Sequence, residues 1–286
     1  MKNKGTLPVI SAGILWGIIS IFIRTISKFG YDSFQIMSFR AWLGAIAMFI
    51  FFLIFKREYL KISLKDIWMF IGSGIVSLTA FSYCYFTTII NCGAAVAVVL
   101  LYTSPIFVML LSALIFKEKI TKRKIIALIM TFAGCVLVAG LMGGGISLSI
   151  GSFMLGLGAG LGYALYSIFA GFAVKKYSSL TITFYTFLFS AIALLFIENP
   201  YALCSNMDIR VLPSLLGVSI ICAVFPYILY TIGLKHMEKS KAAVLVTVEP
   251  LVGTLLGLIA YHEDANVFKI IGIILILISV VALAKE

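Results

Sequence analysis

The sequence predicts an all-α integral membrane protein of ten transmembrane helices, arranged as two inverted five-helix repeats. Composition is the first observation behind this: of 286 residues, 62% are hydrophobic and the mean hydropathy is +1.15. So apolar a chain cannot cover a water-soluble globule, and lipid must solvate its surface. Its apolar runs suit helical spans of roughly 20 residues rather than the short alternating segments of a barrel. The second observation is a repeat at a fixed offset. The third is the placement of basic residues on alternate connectors.

The repeat is anchored on two stretches, Tyr102-Thr103-Ser104-Pro105 and Thr247-Val248-Glu249-Pro250. Pro105 and Pro250, Glu118 and Glu263, and Lys124 and Lys269 each stand 145 residues apart. The same offset joins Gly72 to Gly217, Tyr85 to Tyr230, Gly13 to Gly158 and Gly17 to Gly162. Leu and Ile coincidences are common in such a chain, so the matched Pro, Glu, Tyr and Gly carry the case.

Taken in order, the first span is read at 7–27. The apolar run from Leu7 to Ile26 follows Lys2 and Lys4 as a signal peptide would, yet it exceeds an h-region and lacks a small-residue cleavage site, so a retained helix is expected. Spans at 34–55, 66–88, 93–116 and 123–141 complete a first repeat, 1–142. Gly143-Gly144-Gly145 reads as a short flexible connector. The second repeat, 146–286, carries spans at 150–174, 180–197, 211–234, 241–260 and 266–284. In the second span of each half, Gly44-Ala45-Ile46-Ala47 aligns with Ser190-Ala191-Ile192-Ala193 at an offset of 146, which implies a one-residue difference in the preceding loop.

Seventeen of the 22 basic residues lie at the termini or on connectors after even-numbered spans, as in the run from Lys117 to Lys124. The opposite connectors carry Arg24, Lys28, Arg210 and Lys269. This asymmetry puts both termini in the cytoplasm of a cell-membrane protein. Five spans per half is an odd number, so the second half enters the membrane in the opposite sense. The loop from His262 to Lys269 has accordingly lost the basic residues of its counterpart. The net charge of +11 is therefore a topological signal, and no nucleic-acid partner is expected. Five scattered cysteines without a C-x-x-C motif, and two histidines at span ends, indicate neither a disulfide framework nor a metal site. No cofactor is expected.

Inverted repeats suit secondary transport, because two halves can rock about a central small-molecule site and open it to each side in turn. Pro105 and Pro250 fall near mid-span, where each removes a backbone hydrogen bond and frees a carbonyl, of Leu101 and Val246. Tyr102, Pro105 and Met109 share one helical face, with Ser104 beside them; Thr247, Pro250 and Thr254 share the other. Glu249 is the one carboxylate placed well inside a span. It could carry a coupling proton, hold a substrate amine, or pair with Arg40, the one basic residue deep in a span. Trp16, Tyr102, Tyr163 and Tyr166 lie deep enough to line a cavity, whereas Tyr85 and Tyr230 read as interface-belt residues. The paired glycines permit close helix approach, within a monomer or in a homodimer.

The Trp16-Gly17 pair, Arg40 and the duplicated Pro-x(12)-Glu signature, in this order and spacing, resemble the EamA family of the drug/metabolite transporter superfamily over about 7–141 and 150–284. The resemblance implies a ten-helix inner-membrane permease, often an exporter of amino acids or related metabolites. One departure is the lack of a tryptophan at the start of the second repeat, where Tyr163 stands in the equivalent place. Two other classes compete. A non-transporting scaffold or receptor-like component is disfavoured because no long soluble domain offers a route for signalling. An intramembrane enzyme is disfavoured because there is no H-E-x-x-H, no membrane aspartate pair and no midplane histidine. The expectation is a transporter, not an enzyme. Its deep aromatics and single acid favour an amphipathic, zwitterionic or cationic solute.

Overall fold

The computed structural model describes residues 4–140, 149–205, 207–261 and 266–284, and every regular element among them is helical. Among the described residues eight helices are long and apolar enough to cross a bilayer: α1 (Thr6–Ser27), α2 (Ser33–Phe55), α3 (Leu64–Cys92), α4 (Ala94–Phe116), α6 (Ile150–Ala173), α8 (Ile209–His236), α9 (Lys239–Ala260) and α10 (Val267–Ala284). Two more helices, α5 (Lys122–Val138) and α7 (Ser179–Leu194), have 17 and 16 residues. At 1.5 Å per residue they reach about 25 Å, short of the ~30 Å hydrocarbon core. Each span read from the sequence is thus a helix here, with ends displaced by a few residues. Gly143-Gly144-Gly145, His262 and Glu263 lie outside the described residues.

Local chemistry fixes the helix ends. The Asp32 carboxylate accepts from the Gln35 amide at 2.9 Å while the Gln35 side chain accepts from the Asp32 amide, a reciprocal cap that starts α2. Thr121, Ser149 and Ser178 cap α5, α6 and α7 through their hydroxyls. Between α3 and α4 stands a single residue, Gly93, with φ of 84°, a backbone conformation that glycine adopts without a Cβ penalty.

The repeat reappears in the backbone defects. A π-helical segment runs from Gly72 to Thr79 in α3 and another from Gly217 to Val224 in α8, with both ends 145 residues apart. Helix α4 is interrupted at Tyr102-Thr103 and α9 at Val246-Thr247, just ahead of each proline. Wide π turns and proline breaks both leave backbone groups to be satisfied by neighbours.

Packing is reciprocal between the halves. Helix α1 packs on α8 and α9, and α6 packs on α3 and α4; α2 and α7 pack on each other and on the opposite π-helical segments; α5 pairs with α10. Across α5 and α10, Gly134 and Gly272 let the backbones meet, and the hydroxyls of Thr131 and Ser279 share a 2.7 Å hydrogen bond.

The glycine register differs from the sequence reading. A Cβ on Gly13 would lie 2.6 Å from Val246 O, so α1 presses directly on the α9 break. The residue that meets the α4 break is not Gly158 but Gly160, whose Cβ would lie 2.3 Å from Thr103 Oγ1 and 2.9 Å from Leu100 O. Gly158 faces Cys84, and Gly162 faces Phe81. The first helix of the second half is therefore shifted by two residues relative to the fixed offset, so Gly160 answers Gly13 and Tyr163 answers Trp16.

Candidate functional site

Three helix interruptions converge on one region. Helix α1 is disturbed at Ile18, directly after Trp16-Gly17, and the breaks in α4 and α9 face it. Between them lie two cavities, of about 280 and 150 Å³, that share Trp16, Ile19, Tyr85, Leu101 and Glu249 in their walls. Tyr102, Cys135, Pro250 and Thr254 complete the larger one, whose wall extends to Ala139 and Lys269 at the ends of α5 and α10. Arg40, Tyr163 and Tyr227 complete the smaller.

Trp16 is the hub of the aromatic wall. Its ring stands edge-on to Tyr163 at 6.2 Å and to Tyr227 at 5.2 Å, arrangements that ring quadrupoles favour. Glu249 enters at the start of the second piece of α9, and Tyr163 Oη donates to its Oε2 at 3.4 Å. Arg40 lies with its guanidinium carbon 5.9 Å from the Tyr227 ring centroid, and its buried Nε has no hydrogen-bond partner. Among the described residues no ion pair joins Arg40 to Glu249. The two charges line the smaller cavity together without neutralising one another directly.

Beyond Trp16, away from Lys269, the path is closed. Tyr166 Oη and Thr231 Oγ1 lie 2.6 Å apart, Ser167 Oγ and Tyr230 Oη 2.8 Å apart, and all four side chains are buried. Further on, Gly5 of α1's leading turn lies against Gly233 O and Met237. Among the described residues the larger cavity therefore reaches toward the end of the bundle that holds Gly93 and Lys269, and these buried pairs separate it from the end that holds the basic connectors.

The structure brings Trp16, Arg40, Tyr102, Tyr163, Glu249 and Pro250 to the cavity walls. Four other residues read as lining from the sequence do not reach them. Ser104 and Pro105 are buried at the start of the second piece of α4 and line neither cavity. Thr247 is 1% exposed and donates its hydroxyl to Val244 O at 2.5 Å. Tyr166 lies one turn below Tyr163, in the floor. The proline carbonyls differ as well: Val246 O accepts from the Glu249 amide at 3.0 Å, and Leu101 O sits against Gly160. Tyr85 and Tyr230 are interior residues rather than belt residues, Tyr85 in both cavity walls and Tyr230 in the floor. Their match across the repeat was the available signal, since a lipid-facing anchor has little reason to recur at a fixed offset. Cys135 and Lys269 were missed, because nothing local marks which face of α5 or α10 turns inward. Among the described residues no group of His, Cys, Asp and Glu converges to hold a metal.

Comparison with known proteins agrees with this architecture. A solved crystal structure matches with a TM-score of 0.82 at 17% identity, over 97% of this chain and 95% of that one. An uncharacterized transporter of Archaeoglobus fulgidus is 27% identical over 99% of this chain and 97% of its own length. The uncharacterized transporter YyaM of Bacillus subtilis is 26% identical over 89% and 86%, and the uncharacterized inner membrane transporter YicL of Salmonella typhimurium 25% identical over 99% and 96%. The model of the EamA-like transporter family matches residues 3–140 and again 150–284. A multi-pass helical membrane protein with this duplicated match across nearly its whole length belongs to the EamA-like transporter family.

Proposed function

We propose that the protein is a secondary transporter that moves a small zwitterionic, amino-acid-like solute across the cell membrane by alternating access. In this reading ten helices cross the bilayer as two inverted repeats, about 1–142 and 146–286, with both termini cytoplasmic. The reciprocal packing of the halves and the paired backbone defects support the inversion.

The observation that carries the proposal is the cavity: one acid and one base that do not pair with each other, separated by aromatic rings, in a space closed at one end. An under-satisfied buried charge is costly: Glu249 has one long hydrogen bond and Arg40 an unpartnered Nε, and a solute with an ammonium for Glu249 and a carboxylate for Arg40 would satisfy both. Trp16, Tyr85, Tyr163 and Tyr227 would then take its apolar part. The two cavities, about 280 and 150 Å³, meet at Glu249, and the smaller one holds Arg40; each is smaller than the roughly 300–1,000 Å³ typical of ligand pockets, which suits a single small metabolite. Glu249 also supplies the group for proton coupling, because a carboxylate that releases its solute can take up a proton instead. Efflux is the direction we propose, as the resemblance of the sequence implies.

The test is flux of labelled amino acids in proteoliposomes holding the purified protein, with and without an imposed pH gradient. Gradient-stimulated flux that disappears in Glu249→Gln is the expected result. Undiminished flux in that variant would remove Glu249 from the mechanism, and absence of flux for any amino acid would remove the solute.

A further inference from the structure

The sealed end of the bundle is held by contacts that cross from the first half to the second. Glu118 follows α4, and the chain reaches it through Lys117, which adopts a left-handed φ of 56°. This left-handed turn ends the helix, with the Glu118 amide donating to Ser112 O at 3.2 Å, and it carries the Glu118 side chain toward the second half. One carboxylate oxygen accepts from the Lys239 amide at 2.7 Å; the other accepts from the Ser240 amide at 3.2 Å and the Ser240 hydroxyl at 2.6 Å. These donors begin α9, the helix that carries Glu249. Beside this contact, the buried Lys124 of α5 pairs with Glu238 and donates to Lys119 O at 2.8 Å. Hydrogen bonds to a charged group are the stronger kind.

The side chains that answer Glu118 and Lys124 at the start of α9 are not duplicated at the start of α4. The residues 145 positions before Glu238, Lys239 and Ser240 are Gly93, Ala94 and Ala95. These three positions carry neither the carboxylate of Glu238 nor the hydroxyl of Ser240. The duplication has thus placed at the start of α9 an acid and a hydroxyl that the start of α4 lacks.

We propose that Glu118, gripping the start of α9 with Lys124–Glu238 beside it, is the clasp that sets the resting state of the transporter, closed at the basic end and open at the Gly93 end. Its release is the step that admits solute from the basic side. This rests on the alternating-access reading of the cavity. Glu118 acts as a positioning residue, since it touches α9 and not the solute.

Two thiol reporters test it. Native Cys135 lines the open cavity, and Ser167→Cys places a thiol in the buried floor with little change of size. Each is used alone, with the remaining native cysteines replaced, in lipid nanodiscs that expose both faces to a water-soluble maleimide. In Glu118→Ala the floor reporter should label about tenfold faster or more, the order expected for loss of charge-assisted hydrogen bonds, while Cys135 labels more slowly. Glu118→Gln keeps one acceptor oxygen and should move both rates part of the way; Ser240→Ala should move them least. Should Glu118→Ala fail to fold, these milder variants must still show opposite movements. Unchanged rates at both reporters, or a rise at both together, would overturn the clasp, the latter because loosening of the whole fold exposes both thiols. The rates need no solute, so failure to find amino-acid flux leaves this test intact, and a failed clasp leaves the solute assignment intact.

Discussion

At the α4 break, Ser104 occupies the place that Glu249 holds at the α9 break, 145 residues on. The backbone interruption is the same in both, ahead of a proline that lacks an amide. The surroundings differ. Thr103 is buried against α6, with Gly160 at the contact, and Ser104 is buried beside it, whereas Glu249 lines the cavity wall. Duplication supplied the backbone twice, and one copy became packing while the other became chemistry. The acid on only one of two equivalent helices is what gives the central space a charge polarity.

The widest gap between the two breaks should appear on moving the acid. Ser104→Glu places a carboxylate where no cavity reaches, an uncompensated burial that costs several kcal/mol; the expected result is loss of monodisperse protein in detergent, and normal yield and melting would mean that the α4 break is wetter than its packing implies. Next comes Glu249→Gln, which preserves shape and should reduce flux about 100-fold, the scale of a lost hydrogen bond to a charged group, with little change in thermal stability. Gly13→Ala and Gly160→Ala sharpen the comparison from the side of the packing helices. Each Cβ would meet break atoms closer than 3.0 Å, so each should lower stability by about 1–3 kcal/mol, read by thermal unfolding. Gly253→Ala is the control, since its Cβ meets only Gly17 O at 3.7 Å. Tyr163→Phe should have the smallest effect: the 3.4 Å hydrogen bond to Glu249 is long, and its loss should raise KM by about twofold to fivefold while leaving assembly intact.

The spans were legible because a helix in lipid must be apolar over its whole length, a signal that needs no partner to read. The breaks were legible because proline states its own backbone consequence. Rotation was not. Tyr163 and Tyr166 lie three residues apart on one helix and look equivalent in sequence, yet one lines the cavity and the other seals its floor. Ser104 was misread because a break looks the same whether a glycine helix covers it or a cavity faces it. The Gly13 and Gly158 match failed for a related reason: the fixed offset holds from α3 to α4 but slips by two at the first helix, and only the partner surface reveals the slip. Gly72 and Gly217 were matched correctly, but the π-helical segments that begin at them, and the Phe169 and Phe22 rings of the other half that press on them, were not legible.

The exchange of first helices between the halves also bears on how the protein is made. Helix α1 leaves the ribosome first, but its partners α8 and α9 end at His236 and Ala260, near the far end of the chain. At roughly 5–20 residues per second, α1 waits on the order of tens of seconds in the bilayer with its glycine face uncovered. Helix α6 has no such delay, because α3 and α4 are already in place when it emerges. Biogenesis is therefore asymmetric in a molecule whose finished packing is nearly symmetric, and the first half stays an open scaffold until the last helices arrive to close it.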